Sequence, residues 1–258
     1  MFDFNGAGGA AMLPAMIGRF LAAALLVGFA ALATPVHAQT TTRAHAVVEL
    51  YTSQGCTQCP RANRLLGMFS REEGVLALTF AVPIWDYLGW RDTFAEQDFA
   101  DRQRAYSRSL RVRGRYTPQL VINGGSAMSA SYWDEARAAL DTARATPLTW
   151  SPSISITTLR YTRVRVALGA GPRRAEPADV WVVAYDRGPV TEYVTRGVNI
   201  NRRVYHYNLV RSMGRVGRWD GGAVYYEYNR CSPECAVLIQ EPNGGRIIAA
   251  AYTSLRDE

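Results

Sequence analysis

The stretch ELYTSQGCTQCPRANRLL, residues 49–66, decides the fold. It holds Cys56 and Cys59 with two residues between them, and Pro60 follows at once. The segment leading in, HAVVELYTS (45–53), is rich in β-branched and apolar residues and reads as a strand. QGC interrupts it. PRANRLLGMFSRE (60–72) then has helical spacing, with Leu65, Leu66 and Phe69 on one side. A C-x-x-C pair in such a place does redox chemistry, holds a metal or staples a loop.

A strand, a tight turn bearing C-x-x-C and a helix form the local frame of thioredoxin-like redox sites. In that frame Cys56 sits at the helix N-terminus, where free N–H groups and the macrodipole favour a thiolate. Cys59, one turn further in, is shielded and resolves a mixed disulfide. Pro60 falls in the first turn, where a missing N–H costs little. A zinc ribbon would need a second pair of this kind. The remaining cysteines, Cys231 and Cys235, bracket SPE between two strand-like segments and read as a staple across that loop.

A second mark lies downstream. YTPQLVING (116–124) carries a Thr117–Pro118 step directly before a short strand, the place where thioredoxin-like folds set a cis-proline opposite the cysteines. Pro118 and the backbone of Thr117 are therefore candidate substrate-positioning groups; a trans proline opening a strand is the plain alternative. Glu49 interrupts an apolar strand, and a half-buried carboxylate there would take the proton from Cys59. Its alternative is an edge position paired to an arginine.

Between and beyond these marks, GVLALTFAVPIW (74–85) reads as a strand ending near Pro83, residues 92–114 as a helix closed by Gly114, and 131–144 as an amphipathic helix. Asn123-Gly124 signals a hairpin turn. From about residue 152 only strand-like segments follow. In TRVRVAL, Val164, Val166 and Leu168 alternate with Arg163 and Arg165. The expected architecture is an α/β thioredoxin-like domain over 45–147 followed by an all-β sandwich-like C-terminal domain over 150–258, with the boundary at Pro147–Pro152.

Arg19, the uncharged run FLAAALLVGFAALA (20–33) and the small residues of VHA ending at Ala38 give the order of a secretory signal peptide over 1–38. Met12 and Met16 are alternative starts. The run is short for a membrane span, which needs about 20 residues. A periplasmic or secreted protein with no stable membrane anchor after cleavage is expected, in a compartment that permits disulfides.

The chain has 258 residues, 48% of them hydrophobic, and a formal net charge of +7. Every basic residue is arginine, which excludes Schiff-base lysines and phosphate-loop lysines. The arginines are dispersed, and an exported protein rarely meets nucleic acid, so no nucleic-acid partner is expected. Arg104, Arg108, Arg111 and Arg115 form a helical stripe, read as a solvated face or as an electropositive flank of the proline loop. Trp85, Tyr87 and Trp90 read as core or lid packing, or as an apolar collar for substrate; Asp86 and Asp92 read as caps of the following helix.

VVELYTSQGCTQCPRANRLLG (47–67), WDYLGW (85–90), RQRAY (102–106) and YTPQLVING (116–124) resemble a family of bacterial secreted thioredoxin-like proteins, domain of unknown function 1223. RGVNINRRVYHYNLVR (196–211), GRWDGG (217–222) and LIQEPNGGRIIAAA (238–251) are similar too, so the resemblance covers almost all of 46–251. It implies a thioredoxin-like fold and no established activity. Where the family usually reads H-V-D-Y-W, this chain has Ala81-Val82-Pro83-Ile84-Trp85, and Val198 stands where an acid is expected. The carry-over stops at the cysteines, the proline, Trp85, Asp86 and Trp90.

The leading expectation is thiol–disulfide exchange on a protein or small-molecule thiol or disulfide, with Cys56 attacking, Cys59 resolving, and no cofactor or resident metal. The alternatives are a non-catalytic binding module with a structural disulfide, and a copper(I) site built from Cys56, Cys59 and His45.

Overall fold

Ala46–Thr52 (β2) is buried at every position, the mark of a central strand covered on both faces. In the computed structural model, which describes residues 40–148 and 152–254, two strands flank it. Val75–Ala81 (β3) pairs with it in parallel, and Gln119–Ile122 (β4) pairs antiparallel on its other side. Ser126–Ser129 (β5) extends the sheet beyond β4 through a hairpin in which Asn123 and Gly124 take φ of 49° and 60°. That is the left-handed turn their sequence announces.

Helices Cys59–Phe69 (α1) and Trp133–Ala145 (α3) cover one face, where Leu65, Leu66, Phe69 and Leu140 meet Val48, Leu50 and Ala77. Helix Gln97–Ser109 (α2) belongs to the opposite face, where Phe99 and Tyr106 join Val47, Tyr51 and Phe80. This helix is shorter than the sequence reading of 92–114. Asp92 is folded into the loop ahead of it, and Arg111, at φ 54°, is left-handed just after it. The arginine stripe therefore breaks up: Arg111 and Arg115 lie beyond α2, and Arg104 pairs with Asp101.

The later strands are Ile154–Arg160 (β6), Arg163–Leu168 (β7), Ala178–Val194 (β8), Arg202–Trp219 (β9), Val224–Tyr228 (β10), Glu234–Gln240 (β11) and Ile247–Ser254 (β12). They do not form a domain of their own. With Thr40–Arg43 (β1), one sheet runs β1-β12-β11-β8-β9-β3-β2-β4-β5, and a smaller one runs β10-β7-β6. The two segments expected to be separate thus share a sheet, joined where β9 meets β3 at Thr79 and Leu209. The physical reason is the edge of β3: its seven residues are all buried, and an unpaired buried edge would leave backbone N–H and C=O groups unsatisfied.

The small sheet packs against the large one. Ile156, Val164, Val166 and Leu168 of the small sheet pack with Val180, Val182, Val237, Ile239 and Trp219 of the large one. Cys231, in the loop after β10, is disulfide-bonded to Cys235 of β11, and both belong to this same core. The leader reading of residues 1–38 lies outside the described residues, and part of the expected boundary at 147–152 does too.

Gly67 sets how closely α1 approaches β9. A methyl group on it would lie 2.7 Å from ring atoms of Tyr207. Alanine raises helix propensity by about 1 kcal/mol over glycine, but overpacking costs about 1–3 kcal/mol. Gly67→Ala is therefore expected to lower stability by up to about 2 kcal/mol in denaturant unfolding. A more stable variant would mean that the Tyr207 ring gives way without cost.

Candidate functional site

Beyond Thr52 the chain leaves β2 and turns sharply. The Gly55 N–H donates to Ser53 Oγ at 3.1 Å, and the Cys56 N–H donates to the Ser53 carbonyl at 3.2 Å. Cys56 and Cys59 form a disulfide with Cα atoms 5.4 Å apart. Cys59 is the first residue of α1 and Pro60 lies in the first turn, so Cys56 stands three residues ahead of the helix and not inside its first turn. The pair is asymmetric: Cys56 keeps 7% of its surface exposed and Cys59 none. A reagent from solvent meets Cys56 first.

The Thr117–Pro118 peptide is cis and immediately precedes β4. Gln119 is in register with Tyr51, so the proline and the cysteine loop occupy the same end of adjacent strands. Trp85 ties them together. Its Nε1 donates to Thr117 Oγ1 at 2.7 Å, while its Cβ sits where a side chain on Gly55 would have to go, 2.9 Å from an added Cβ. The structure therefore brings Cys56, Cys59, Thr117 and Pro118 into one neighbourhood.

Glu49 does not join them. It belongs to the face of β2 shared with Tyr51 and α2, opposite the face that packs α1. Both its oxygens accept from Arg102 at 2.7 Å, and the hydroxyls of Tyr106 and Tyr51 donate to it at 2.7 and 2.9 Å. Burial, and then the Glu49 charge, push the Tyr51 hydroxyl well above its usual pKa, keeping it a donor. The expected proton acceptor for Cys59 is thus an engaged ion-pair partner. Its place is a central strand and not an edge.

His45 lies at the other end of β2. Seven strand residues at about 3.3 Å each set it about 20 Å from the cysteine loop, so the copper(I) set of Cys56, Cys59 and His45 is not assembled. Among the described residues no group of three His, Cys, Asp or Glu side chains is placed to hold a metal ion.

Three polar residues hold the loop; Asn199 and Gln54 went unread in the sequence, and Asp92 was read as a helix cap. Asn199, in the turn between β8 and β9, is fully buried, and its Nδ2 donates to the carbonyls of Gln54 at 2.9 Å and Cys56 at 2.8 Å. Asp92 accepts the Gln54 N–H at 2.6 Å and the Phe94 N–H at 2.9 Å. It braces the cysteine loop instead of capping α2, and Asp86 in turn accepts the Asp92 N–H at 3.1 Å. Gln54 Oε1 accepts Trp90 Nε1 at 2.7 Å. The available signal was position: Asn199 is the neighbour of Val198 in the 196–211 motif, and Asp92 closely follows WDYLGW.

Two buried groups flank the 92–94 segment with opposed titrations. Burial pushes the Asp92 pKa up to about 6, and the Gln54 and Phe94 N–H groups restrain that rise. Burial pushes His206, edge-on to Phe94 at 5.3 Å, down to about 4; the Val190 backbone opposes that fall and the Arg211 charge adds to it.

The family described as "Protein of unknown function (DUF1223)" matches residues 47–240, a span that includes the cysteine loop, Thr117–Pro118 and Asn199. The crystal structure of protein AGR_C_4864 from Agrobacterium tumefaciens is similar, with a TM-score of 0.68 and 28% identity, over 83% of this chain and 96% of that one. No curated protein matches.

The signs of the two titrations give a test. Asp92 contributes stability that is full below pH 3.8 and lost as pH rises through about 6. His206 contributes stability that is full above pH 6.5 and lost as pH falls toward about 4. Each effect is on the order of 3 kcal/mol, so they largely offset one another in the intact protein. Denaturant unfolding between pH 4 and 6.5 should show stability rising with pH in Asp92→Asn and falling with pH in His206→Leu. Parallel profiles for both variants would refute the assignment.

Proposed function

This chain belongs to the DUF1223 family of proteins of unknown function, and on that footing we propose that it is an exported thiol–disulfide oxidoreductase with a thioredoxin-like core. The observation that carries the reading is the asymmetric Cys56–Cys59 disulfide ahead of α1, with Thr117 and cis-Pro118 at the same end of the neighbouring strand. The order β3-β2-β4-β5, with β2 and β3 parallel and the other pairs antiparallel, supports the thioredoxin-like assignment.

The reaction balances in electrons and protons. In the dithiol form the Cys56 thiolate attacks one sulfur of a substrate disulfide, and the other substrate sulfur leaves as a thiolate. The Cys59 thiolate then attacks the Cys56 sulfur of the mixed disulfide and releases the second substrate thiolate. Two electrons pass to the substrate, the two protein protons end on its thiols, and the Cys56–Cys59 bond closes. The reverse sequence oxidises a dithiol. The helix N-terminus behind the pair favours the Cys56 thiolate. Thr117 and Pro118 position the substrate.

Export is supported by the leader order of 1–38 and by two disulfides with no free cysteine among the described residues. No helix of the described residues is long and apolar enough to cross a membrane.

Equilibration of the protein against glutathione buffers, with alkylation and mass spectrometry of each cysteine, tests the function. The Cys56–Cys59 couple is expected to equilibrate rapidly at about −120 to −270 mV, the span of known catalysts. Cys231–Cys235 is expected to stay oxidised below about −300 mV, as structural bridges do. A Cys56–Cys59 pair locked in that same low range would make it a staple and favour the binding-module reading.

A further inference from the structure

One face of α1 borders a cavity. Arg61, Arg64, Leu65 and Met68 recur at the three- and four-residue spacing that brings side chains together on a helix. Ala130 and Ser131, from the link between β5 and α3, and Trp133, the first residue of α3, complete the lining. The volume is about 310 Å³. Leu65, Met68 and Trp133 give it an apolar wall, with the Trp133 ring held against Phe69 at 6.0 Å.

Two hydrogen bonds join this cavity to the cysteine pair and to the proline loop. Ser131 Oγ donates to Oε1 of Gln58, the residue before Cys59, at 2.6 Å. The Ala130 N–H donates to the carbonyl of cis-Pro118 at 3.1 Å. Arg61 stands two residues after Cys59, in the first turn of α1. A molecule seated here is bounded by residues bonded to both halves of the proposed redox site.

The lining carries two guanidinium groups and no carboxylate. Arg61 and Arg64 are exposed, and neither forms an ion pair with a described residue. The acids of the adjoining segments are placed elsewhere. Glu72 is taken up by Arg137 and Arg144. Asp134 and Glu135 follow Trp133 in the first turn of α3, where they complement that helix's own positive end, and neither lines the cavity. Size narrows the occupant further. Cavities that hold small molecules run from roughly 300 to 1,000 Å³, so this one suits a ligand near the lower limit and not a folded partner.

We infer that this cavity binds a small thiol or disulfide carrying two carboxylates. Arg61 and Arg64 hold the carboxylates, Trp133 and Met68 cover the carbon skeleton, and the sulfur reacts at Cys56. The inference rests on the oxidoreductase reading for its reaction and adds a substrate class to it. In the oxidising direction, the thiolate of one molecule attacks the Cys56 sulfur, and Cys59 leaves as a thiolate. The thiolate of a second molecule attacks the sulfur of the first, and Cys56 leaves as a thiolate. Two thiols become one small disulfide, two electrons enter the protein pair, and the two thiol protons end on Cys56 and Cys59.

The test uses the full chain and S-methylglutathione, a dicarboxylate of this class whose blocked sulfur cannot exchange. Calorimetric titration should show it binding. Replacing it by its diethyl ester, or the chain by Arg61→Gln/Arg64→Gln, should each weaken binding roughly tenfold, the loss of two solvent-exposed ion pairs. Trp133→Ala should weaken it severalfold with no change in charge, and Met68→Ser serves where that variant does not fold. In exchange kinetics, Arg61→Gln/Arg64→Gln should lower the kcat/KM ratio of glutathione to uncharged 2-mercaptoethanol by the same roughly tenfold factor.

No binding of S-methylglutathione to the intact chain overturns the inference. Equal affinity for the diethyl ester overturns it as well, as does binding left unchanged by the arginine variant or by both apolar-wall variants. If S-methylglutathione binds as expected while neither glutathione nor 2-mercaptoethanol exchanges with the Cys56–Cys59 bond, the oxidoreductase reading fails and the cavity stands as a dicarboxylate site. If both thiols exchange while S-methylglutathione does not bind, the cavity inference fails alone.

Discussion

The Glu49–Arg102 ion pair lies inside the protein, and neighbouring side chains from three elements are arranged around it. β2 supplies Glu49 and Tyr51, α2 supplies Arg102 and Tyr106, and β11 supplies Gln240, whose Oε1 accepts from Arg102 at 3.0 Å. Gln240 Nε2 also donates to Tyr106 at 2.9 Å and to the Gly245 carbonyl at 2.8 Å. A buried pair of this kind is a poor source of net stability, because desolvation offsets most of the attraction. Losing one partner is costly, about 3–5 kcal/mol. Its consequence here is specificity: α2 must dock on β2 to pair the charges, and β11 must join them for Arg102 to reach its Gln240 partner. That requirement binds the early α/β segment to the late β segment.

The cysteine loop obeys the same logic on a smaller scale. Its backbone is held by Asn199 from the β8–β9 turn, by Asp92 from the loop before α2, and by Trp90 through the Gln54 side chain. The Gln54 N–H and the Gln54 and Cys56 carbonyls are thereby fixed by side chains from segments far away in sequence. The site is therefore not contained in residues 45–147. The β8–β9 hairpin completes it, and the shared sheet is what delivers that hairpin to the cysteines.

How far this was legible in the sequence follows from the range of each signal. Local features read well. The strand, turn and helix around Cys56 and Cys59, the Asn123-Gly124 hairpin and the Thr117–Pro118 step are short-range patterns set by backbone sterics and capping. The face of Glu49 was not readable, because a strand buried on both sides shows no polar–apolar alternation to reveal which parity faces α1. Sheet continuity was unreadable for a similar reason: local alternation shows that Leu209 lies in a strand but not that its partner is Thr79. Asn199 is a single polar residue in a turn, and its value comes wholly from carbonyls far away in sequence. Asp92 misled because an acid ahead of a helical pattern resembles a cap, and only the fold shows a nearer donor at Gln54.

The engagement of Glu49 changes the expected chemistry of the cysteines. A carboxylate that accepts from a guanidinium and two tyrosine hydroxyls, on the far side of β2, has its oxygens occupied and faces away from Cys59. Stabilisation of a Cys56 thiolate then falls to backbone N–H groups at the start of α1, which begins three residues later at Cys59. A thiolate stabilised in this way is also a good leaving group, which speeds attack on the disulfide by an incoming thiol and stabilises the dithiol form relative to the bond. In the exchange reaction proposed above, such stabilisation would draw the pair toward the oxidising end of the catalytic range.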